Sequence, residues 1–197
     1  MRDPSHKIRE HAGSDQAGNA RRTVRPHVLL LTGRPGVGKT TVIRRVADGT
    51  DETRLRGFYT EEIREHGERR GFRLISFEGG DRVIAHIDFP KAHRVGKYGV
   101  DLTAIDDAAS LLARDPAVRL YVVDEIGKME CLSARFVTAM RKLLTGDTPV
   151  VATVGLHGGG FIAEVKRLKQ CLLWEVTQDN RDEVPSCVLA WLIKTQS

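Results

Sequence analysis

The chain is poor in cysteine, with Cys131, Cys171 and Cys187 the only three in 197 residues. Their odd number and wide spacing, with no C-x-x-C pair, exclude a disulfide framework and a cysteine-rich zinc site. Each lies in an apolar pattern, which predicts a core residue rather than a redox centre. We therefore expect a reducing compartment and a cytoplasmic protein.

Long apolar runs are also missing. No segment approaches the roughly 20 apolar residues that a membrane-spanning helix needs, and residues 1–26 have no apolar segment typical of a secretory signal. The composition, 41% hydrophobic and 29% charged, excludes global disorder and a fibrous repeat. The length fits one domain with an extension.

Positive charge is in modest excess, at a net +5, and is unevenly distributed. Residues 1–26 carry six basic and three acidic side chains and almost no apolar ones, which predicts a disordered basic tail. The domain expected over residues 27–197 is close to neutral. Nucleic-acid binding is therefore expected only through the tail.

Apolar runs and helical patterns alternate along the rest of the chain. Antiparallel hairpins are predicted between residues 55 and 87, where charged turns separate short β-type segments. The alternation predicts an α/β domain, with a mostly parallel sheet, helices on both faces and a hairpin extension. The predicted strands span 27–32, 120–123, 150–154 and 172–176, and the predicted helices span 41–48, 101–115, 133–144, 162–168 and 188–193.

A glycine-rich loop follows the first predicted strand and opens a helix. Its sequence, GRPGVGKT at 33–40, matches the phosphate-binding pattern G-x-x-x-x-G-K-T in full. Loop amides and the helix N-terminus bind phosphate, Lys39 reaches the β- and γ-phosphates, and the Thr40 hydroxyl ligates Mg²⁺. The predicted phosphate-loop contacts are Gly33, Arg34, Pro35, Gly36, Val37, Gly38, Lys39, Thr40 and Thr41.

Two carboxylates end the strand at 120–123. Asp124 is placed to hold Mg²⁺ together with Thr40, and Gly127 lies close behind in the predicted nucleotide site. Glu125 is placed to deprotonate a water that attacks the γ-phosphate, although it would also suit the cap of a turn. The same segment fits the D-x-x-G of switch GTPases, but the guanine-selecting N-K-x-D is missing and Asn180-Arg181-Asp182 does not replace it.

Several cations are candidates for balancing charge on the phosphates. Lys128, placed next to the acidic pair, is assigned a catalytic role with Lys39 and Glu125. Tyr98, between glycines, would stack on a base or serve as a half-buried loop residue. The glycines at 158–160 fit a mobile loop or the start of a helix, and His157 is given no role. The other candidate cations are Arg34, Arg64, Arg94, Lys97 and Arg181.

The sequence resembles the THEP1-type nucleoside triphosphatases over nearly everything after the tail. The resemblance is carried by GRPGVGKTT at 33–41, GFYTEEIR at 57–64, Gly71-Phe72, VGKYGV at 95–100, VVDEIGKME at 122–130, and Val176-Thr177 with Asn180-Arg181-Asp182. It implies Mg²⁺-dependent hydrolysis of nucleoside triphosphates to diphosphate and phosphate, with little discrimination among bases. It also implies a RecA-like variant of the P-loop fold.

Two other functions remain open at this point. A nucleotide or small-molecule kinase would use the same loop and would need an arginine-rich acceptor lid, for which the hairpins are the candidate. A nucleotide-gated RNA- or partner-binding module would use the basic tail. The sequence does not settle the oligomeric state, and a monomer is slightly favoured.

Overall fold

A computed structural model describes residues 26–196, so the predicted tail, apart from Pro26, lies outside the described residues. Short 3₁₀ turns at Glu52–Arg54 and Glu130–Leu132 complement the regular elements. The strands are β1 (Val28–Thr32), β2 (Leu55–Glu65), β3 (Glu68–Ser76), β4 (Asp81–His86), β5 (Arg94–Val95), β6 (Tyr98–Val100), β7 (Leu120–Ile126), β8 (Val150–Val154) and β9 (Cys171–Glu175). The helices are α1 (Lys39–Asp48), α2 (Leu102–Ser110), α3 (Ala134–Leu144), α4 (Phe161–Val165) and α5 (Val184–Gln196).

The nine strands of residues 26–196 form one sheet, in the order β5-β6-β4-β3-β2-β7-β8-β1-β9. The strands from β2 to β9 in this order are parallel, and β3, β4, β6 and β5 continue the sheet as antiparallel neighbours. Parallel strands end at the same edge, so the segments that follow β1, β7 and β8 meet there. The predicted α/β P-loop fold with a hairpin extension is confirmed.

Helices cover both faces of the sheet. Leu29 and Leu31 of β1 pack on the face that α1 and α5 cover, whereas Val28 and Leu30 pack on the face covered by α2, α3 and α4. All four are fully buried, because side chains alternate along a strand whose two faces are both covered.

Some element bounds differ from the prediction. The helix expected over 101–115 ends at Ser110, and Leu112 is buried beyond it, so apolar spacing there reflects packing rather than helix. Helix α5 begins at Val184 rather than 188, with Pro185 in its first turn, where proline is tolerated. Strands β5 and β6 were not expected. No helix in residues 26–196 has the length and apolar character needed to cross a membrane.

Candidate active site

The phosphate loop joins β1 to α1 at the carboxyl edge of the sheet. Gly38 precedes the helix with a φ of 110°, a left-handed conformation that favours glycine, and no side chain caps the helix. The first-turn amides of α1 are therefore available to an anion. The Nζ of Lys39 donates to the carbonyl oxygens of Gly33 at 3.2 Å and Arg34 at 3.5 Å, so the lysine folds back over its own loop.

Asp124 lies at the end of β7 beneath the loop, and its side chain is only 1% exposed. The Thr40 hydroxyl donates to Oδ2 at 2.6 Å, the Thr60 hydroxyl lies 3.5 Å from the same oxygen, and the Thr153 hydroxyl donates to Oδ1. Burial raises the pKa of Asp124, while the hydrogen bonds and the charge of Lys39 oppose the rise. Hydroxyl groups from α1, β2 and β8 thus surround one carboxylate.

The donor set at this point fits Mg²⁺. Thr40 and Asp124 offer a hydroxyl and a carboxylate oxygen within 2.6 Å of each other, beside the amides expected to bind phosphate. Mg²⁺ takes oxygen ligands and is usually held by one or two protein groups, with waters and substrate phosphates completing its shell. Residues 26–196 contain no cluster of three or more His, Cys, Asp or Glu side chains able to hold a metal.

Glu125 follows Asp124 directly, across a cis peptide bond, and its side chain is 36% exposed. Its Oε2 lies 4.0 Å from Nζ of Lys39, so the lysine faces both the loop carbonyls and this carboxylate. Burial raises the pKa of Glu125. The charge of Lys39 opposes the rise, the charge of Asp124 adds to it, and Lys166 opposes it more weakly.

A second lysine lies at this edge. Lys166, at the end of α4, donates through Nζ to the carbonyl oxygens of Gly155 at 2.6 Å and Leu156 at 2.9 Å. Burial lowers the pKa of Lys166, and the charge of Glu125 opposes that change. The segment after β8 is thereby tied to α4 next to the carboxylates.

A cavity of about 740 Å³ opens above these groups. Its walls come from the phosphate loop, the hairpin strands β2 and β3, the segment after β7 and residues 155–157. It brings together half of the residues that the sequence assigned to the site, nine of eighteen. The predicted residues that line it are Gly33, Pro35, Gly36, Gly38, Lys39, Thr40, Glu125, Gly127 and Lys128.

Other predicted residues lie outside the lining. Val37 is buried in the core, whereas Arg34 and Thr41 are exposed at the loop. Arg181 lies beside the loop, with its Cδ 3.6 Å from where a Cβ on Gly38 would be. Arg94 is exposed on β5.

The hairpin cations are engaged elsewhere. Arg64 pairs with Glu62 at 2.6 Å and donates to the carbonyl of Gly67, near the turn between β2 and β3. Lys97 is exposed and its Nζ lies over the Tyr98 ring. Neither side chain lines the cavity.

Tyr98 is packed rather than open to a base. It is 6% exposed in β6, contacts Phe72 edge-on with ring centroids 5.2 Å apart, and its hydroxyl accepts from Arg69 at 2.9 Å. The structure therefore supports the alternative of a packing tyrosine, more deeply buried than expected. Its neighbours Arg69 and Phe72 line the cavity instead.

The structure also bears on the predictions for the glycine cluster and for two of the cysteines. Gly160 precedes α4, which fits the start of a helix, while Leu156 and His157 line the cavity. Cys131 and Cys171 are half-buried, and burial raises the pKa of each thiol to about 12, in keeping with packing residues.

Sequence reasoning missed several residues of the site, among them Thr60, Thr153, Lys166 and Glu130. Thr60 and Thr153 reach Asp124 only because β2 and β8 flank β7, and Lys166 reaches the edge from α4. No local pattern marks Thr153 or Lys166, and the only signal for Thr60 was its place in the GFYTEEIR segment. Glu130 lines the cavity and is 5% exposed, and its only signal was its place in the DEIGKME segment.

Comparison with known proteins places the chain in a family. A family model described as NTPase matches residues 28–189. The chain belongs to this nucleoside-triphosphatase family. The predicted family resemblance is thereby confirmed, and the region matched contains the phosphate loop, the Asp124-Glu125 pair and the hairpin extension.

Individual members of the family are similar over nearly their whole length. The nucleoside-triphosphatase THEP1 of Thermotoga sp. (strain RQ2) is 37% identical over 166 residues, covering 83% of this chain and 94% of the relative. The human cancer-related nucleoside-triphosphatase is 33% identical, covering 81% and 95%. The crystal structure of THEP1 from Aquifex aeolicus superposes with a TM-score of 0.77 at 33% identity, covering 84% of this chain and 98% of that one.

Proposed function

We propose that the protein hydrolyses nucleoside triphosphates to diphosphate and phosphate in a Mg²⁺-dependent reaction. The observation that carries the proposal is the Thr40 hydroxyl 2.6 Å from the Asp124 carboxylate, with the next residue, Glu125, facing Lys39. Metal ligands, a phosphate-binding lysine and a carboxylate next to them are the parts that in-line attack on a γ-phosphate requires. The family membership supports the same reaction class.

Each group has a task in this reaction. The loop amides and Lys39 hold the phosphates, with Lys39 giving up its loop carbonyls to do so. Bound Mg²⁺, held by Thr40 and Asp124, would neutralise charge on the phosphate oxygens. Glu125 accepts a proton from the water molecule while the water oxygen attacks the γ-phosphorus. The bond between the γ-phosphorus and the bridging oxygen breaks, and the diphosphate leaves. Lys128, at the cavity wall, balances charge on the transferred group.

Little discrimination among bases belongs to the same proposal. The groups named above act on the phosphates or, in the case of Glu125, on the attacking water, and the chain has no N-K-x-D segment to read guanine. The three widely spaced cysteines support a cytoplasmic location.

The two alternatives have less support. A kinase lid rich in arginine is not matched by the hairpin wall, where Arg69 is the one arginine among the described lining residues. In addition, a general base next to the metal-binding carboxylate activates water for hydrolysis, which a kinase does not need. The RNA-binding alternative depends on residues 1–26, of which only Pro26 is described.

The test is phosphate release from ATP, GTP, CTP and UTP without any acceptor, with Mg²⁺ and with a chelator. We expect all four to be hydrolysed with kcat/KM values within about tenfold of one another, and activity to disappear on chelation. Phosphate transfer that requires an added acceptor would establish a kinase instead. A preference of more than about 100-fold for one base would contradict loose specificity.

A further inference from the structure

Glu130 is the buried acid that the proposed reaction leaves without a task. It begins the 3₁₀ turn after β7, is 5% exposed, and lines the cavity together with Glu125. No lysine, arginine or histidine of the described chain compensates its charge. A buried carboxylate without a cation is costly, so the neutral acid is the form expected at this position.

The carboxyl groups of Glu130 and Glu125 converge over one glycine. A Cβ placed on Gly127 would lie 2.7 Å from Oε2 of Glu130 and 2.9 Å from Oε1 of Glu125. Any side chain at 127 would therefore displace one carboxyl group or both. The missing side chain of Gly127 is what allows the two acids to share this space.

Burial and the nearby cation distinguish the two acids. Glu125 is the more exposed and lies 4.0 Å from Lys39, whereas Glu130 is almost fully buried. Burial, with the charges of Glu125 and Asp124, raises the pKa of Glu130 to about 8. The proton of the pair therefore belongs on Glu130.

The hydrogen-bond inventory of Glu130 then requires an acceptor for that proton. The backbone N–H groups of Glu130 itself and of Gly127 donate hydrogen bonds to its carboxyl oxygens. An N–H group cannot accept the carboxyl proton. The nearby carboxylate of Glu125 accepts without competition from Asp124, whose oxygens already receive hydroxyl hydrogen bonds.

We propose that Glu130 is a positioning residue: as a neutral acid it donates a hydrogen bond across Gly127 to the Glu125 carboxylate and holds it toward the attacking water. The inference rests on the proposed function, since it gives Glu130 a task only if Glu125 is the base. The cations facing this pair, Lys39 and Lys166, lie on the Glu125 side, and the charge of Asp124 acts on both acids.

The test compares Glu130→Gln with Glu130→Leu, using Glu68→Gln at the exposed hairpin turn as a matched control. Steady-state phosphate release from Mg-ATP is measured with the full chain, alongside the Kd of a non-hydrolysable ATP analogue. An amide is a neutral donor at every pH, so Glu130→Gln should keep kcat within about threefold of wild type. Glu130→Leu should lose about tenfold or more in kcat, with the Kd unchanged within about threefold.

A double variant shows whether Glu130 acts through Glu125. If Glu130 acts through Glu125, adding Glu130→Leu to Glu125→Gln should cost no more than about twofold beyond the single Glu125 variant. Equal loss in Glu130→Gln and Glu130→Leu, or no loss in Glu130→Leu, would overturn the inference while leaving Glu125 as the base. Wild-type turnover by Glu125→Gln would overturn both proposals. Should Glu130→Leu fail to fold, Glu130→Gln alone decides, because a role as carboxylate predicts its inactivity.

Discussion

The Thr40 hydroxyl lies 2.6 Å from Oδ2 of Asp124, although 84 positions separate the two residues. Thr40 lies in the first turn of α1 after β1, and Asp124 lies near the carboxyl end of β7, with β8 between the two strands. The sheet order thus brings the two side chains together beside the phosphate loop, where the proposed reaction requires Mg²⁺.

This contact predicts a distinct effect of the Thr40 hydroxyl on metal use. Thr40→Ala should raise the Mg²⁺ concentration required for half-maximal phosphate release by about tenfold or more, because one of two protein oxygens is removed. Thr40→Ser, which keeps the oxygen, should stay within about threefold of wild type. The measurement is a Mg²⁺ titration at fixed ATP, and identical titrations for Thr40→Ala and wild type would contradict the ligand assignment.

Removing the Thr153 hydroxyl should lower the stability of the fold. Thr153→Val keeps the shape of a fully buried side chain but removes the hydrogen bond to Oδ1 of Asp124. Leaving that oxygen less satisfied should lower the free energy of unfolding by about 1–3 kcal/mol. Urea denaturation checks this, with Thr153→Ser as the control that retains the hydroxyl. A value for Thr153→Val equal to wild type would show that the bond contributes little.

Replacing Lys128 and replacing Arg64 should have different effects on kcat, although the sequence suggested both as candidate cations. Lys128 lines the cavity, whereas Arg64 pairs with Glu62 near the hairpin turn. Lys128→Ala should lower kcat by about tenfold or more through lost charge stabilisation, while Arg64→Ala should change it less than about twofold. Steady-state kinetics of the two variants decides, and a larger effect at Arg64 would mean that the hairpin closes over the nucleotide.

The raised pKa of Glu130 should make the stability of the nucleotide-free protein depend on pH. Its folded pKa of about 8 lies above its unfolded value, so the folded state holds the proton more tightly and stability falls as pH rises between the two. Glu130→Gln removes this loss. The free energy of unfolding of Glu130→Gln, relative to that of wild type, should therefore grow from pH 5 to pH 8, by about 3–4 kcal/mol. Denaturation curves across this range test it, and a constant difference would mean that Glu130 is charged throughout.

Local patterns were enough to predict much of the fold and the phosphate loop. The run at β1, the glycines and Lys39 lie next to one another in sequence, so strand, loop and helix are specified together. The hairpins of β2, β3 and β4 were likewise marked by turns and β-type residues. Apolar spacing alone misplaced the end of α2, because Leu112 packs into the core without being helical.

Long-range pairing explains what sequence reasoning missed. Thr153 and Thr60 reach Asp124 only through the positions of β8 and β2 beside β7. The burial of Glu130 follows from the turn that folds it back over Gly127. Tyr98 was taken from its glycine neighbours as a loop residue, whereas pairing of β6 with β4 buries it. None of these contacts leaves a periodic signal in a single chain.

The central claim is that Glu125 deprotonates the attacking water. The most direct measurement is kcat for phosphate release by Glu125→Gln at saturating Mg-ATP, with the Kd of a non-hydrolysable ATP analogue measured on the same preparation. The account predicts a kcat at least about 100-fold below wild type and a Kd within about threefold of it, because the amide keeps the shape but cannot accept the proton. A kcat close to the wild-type value, with nucleotide binding intact, would contradict it.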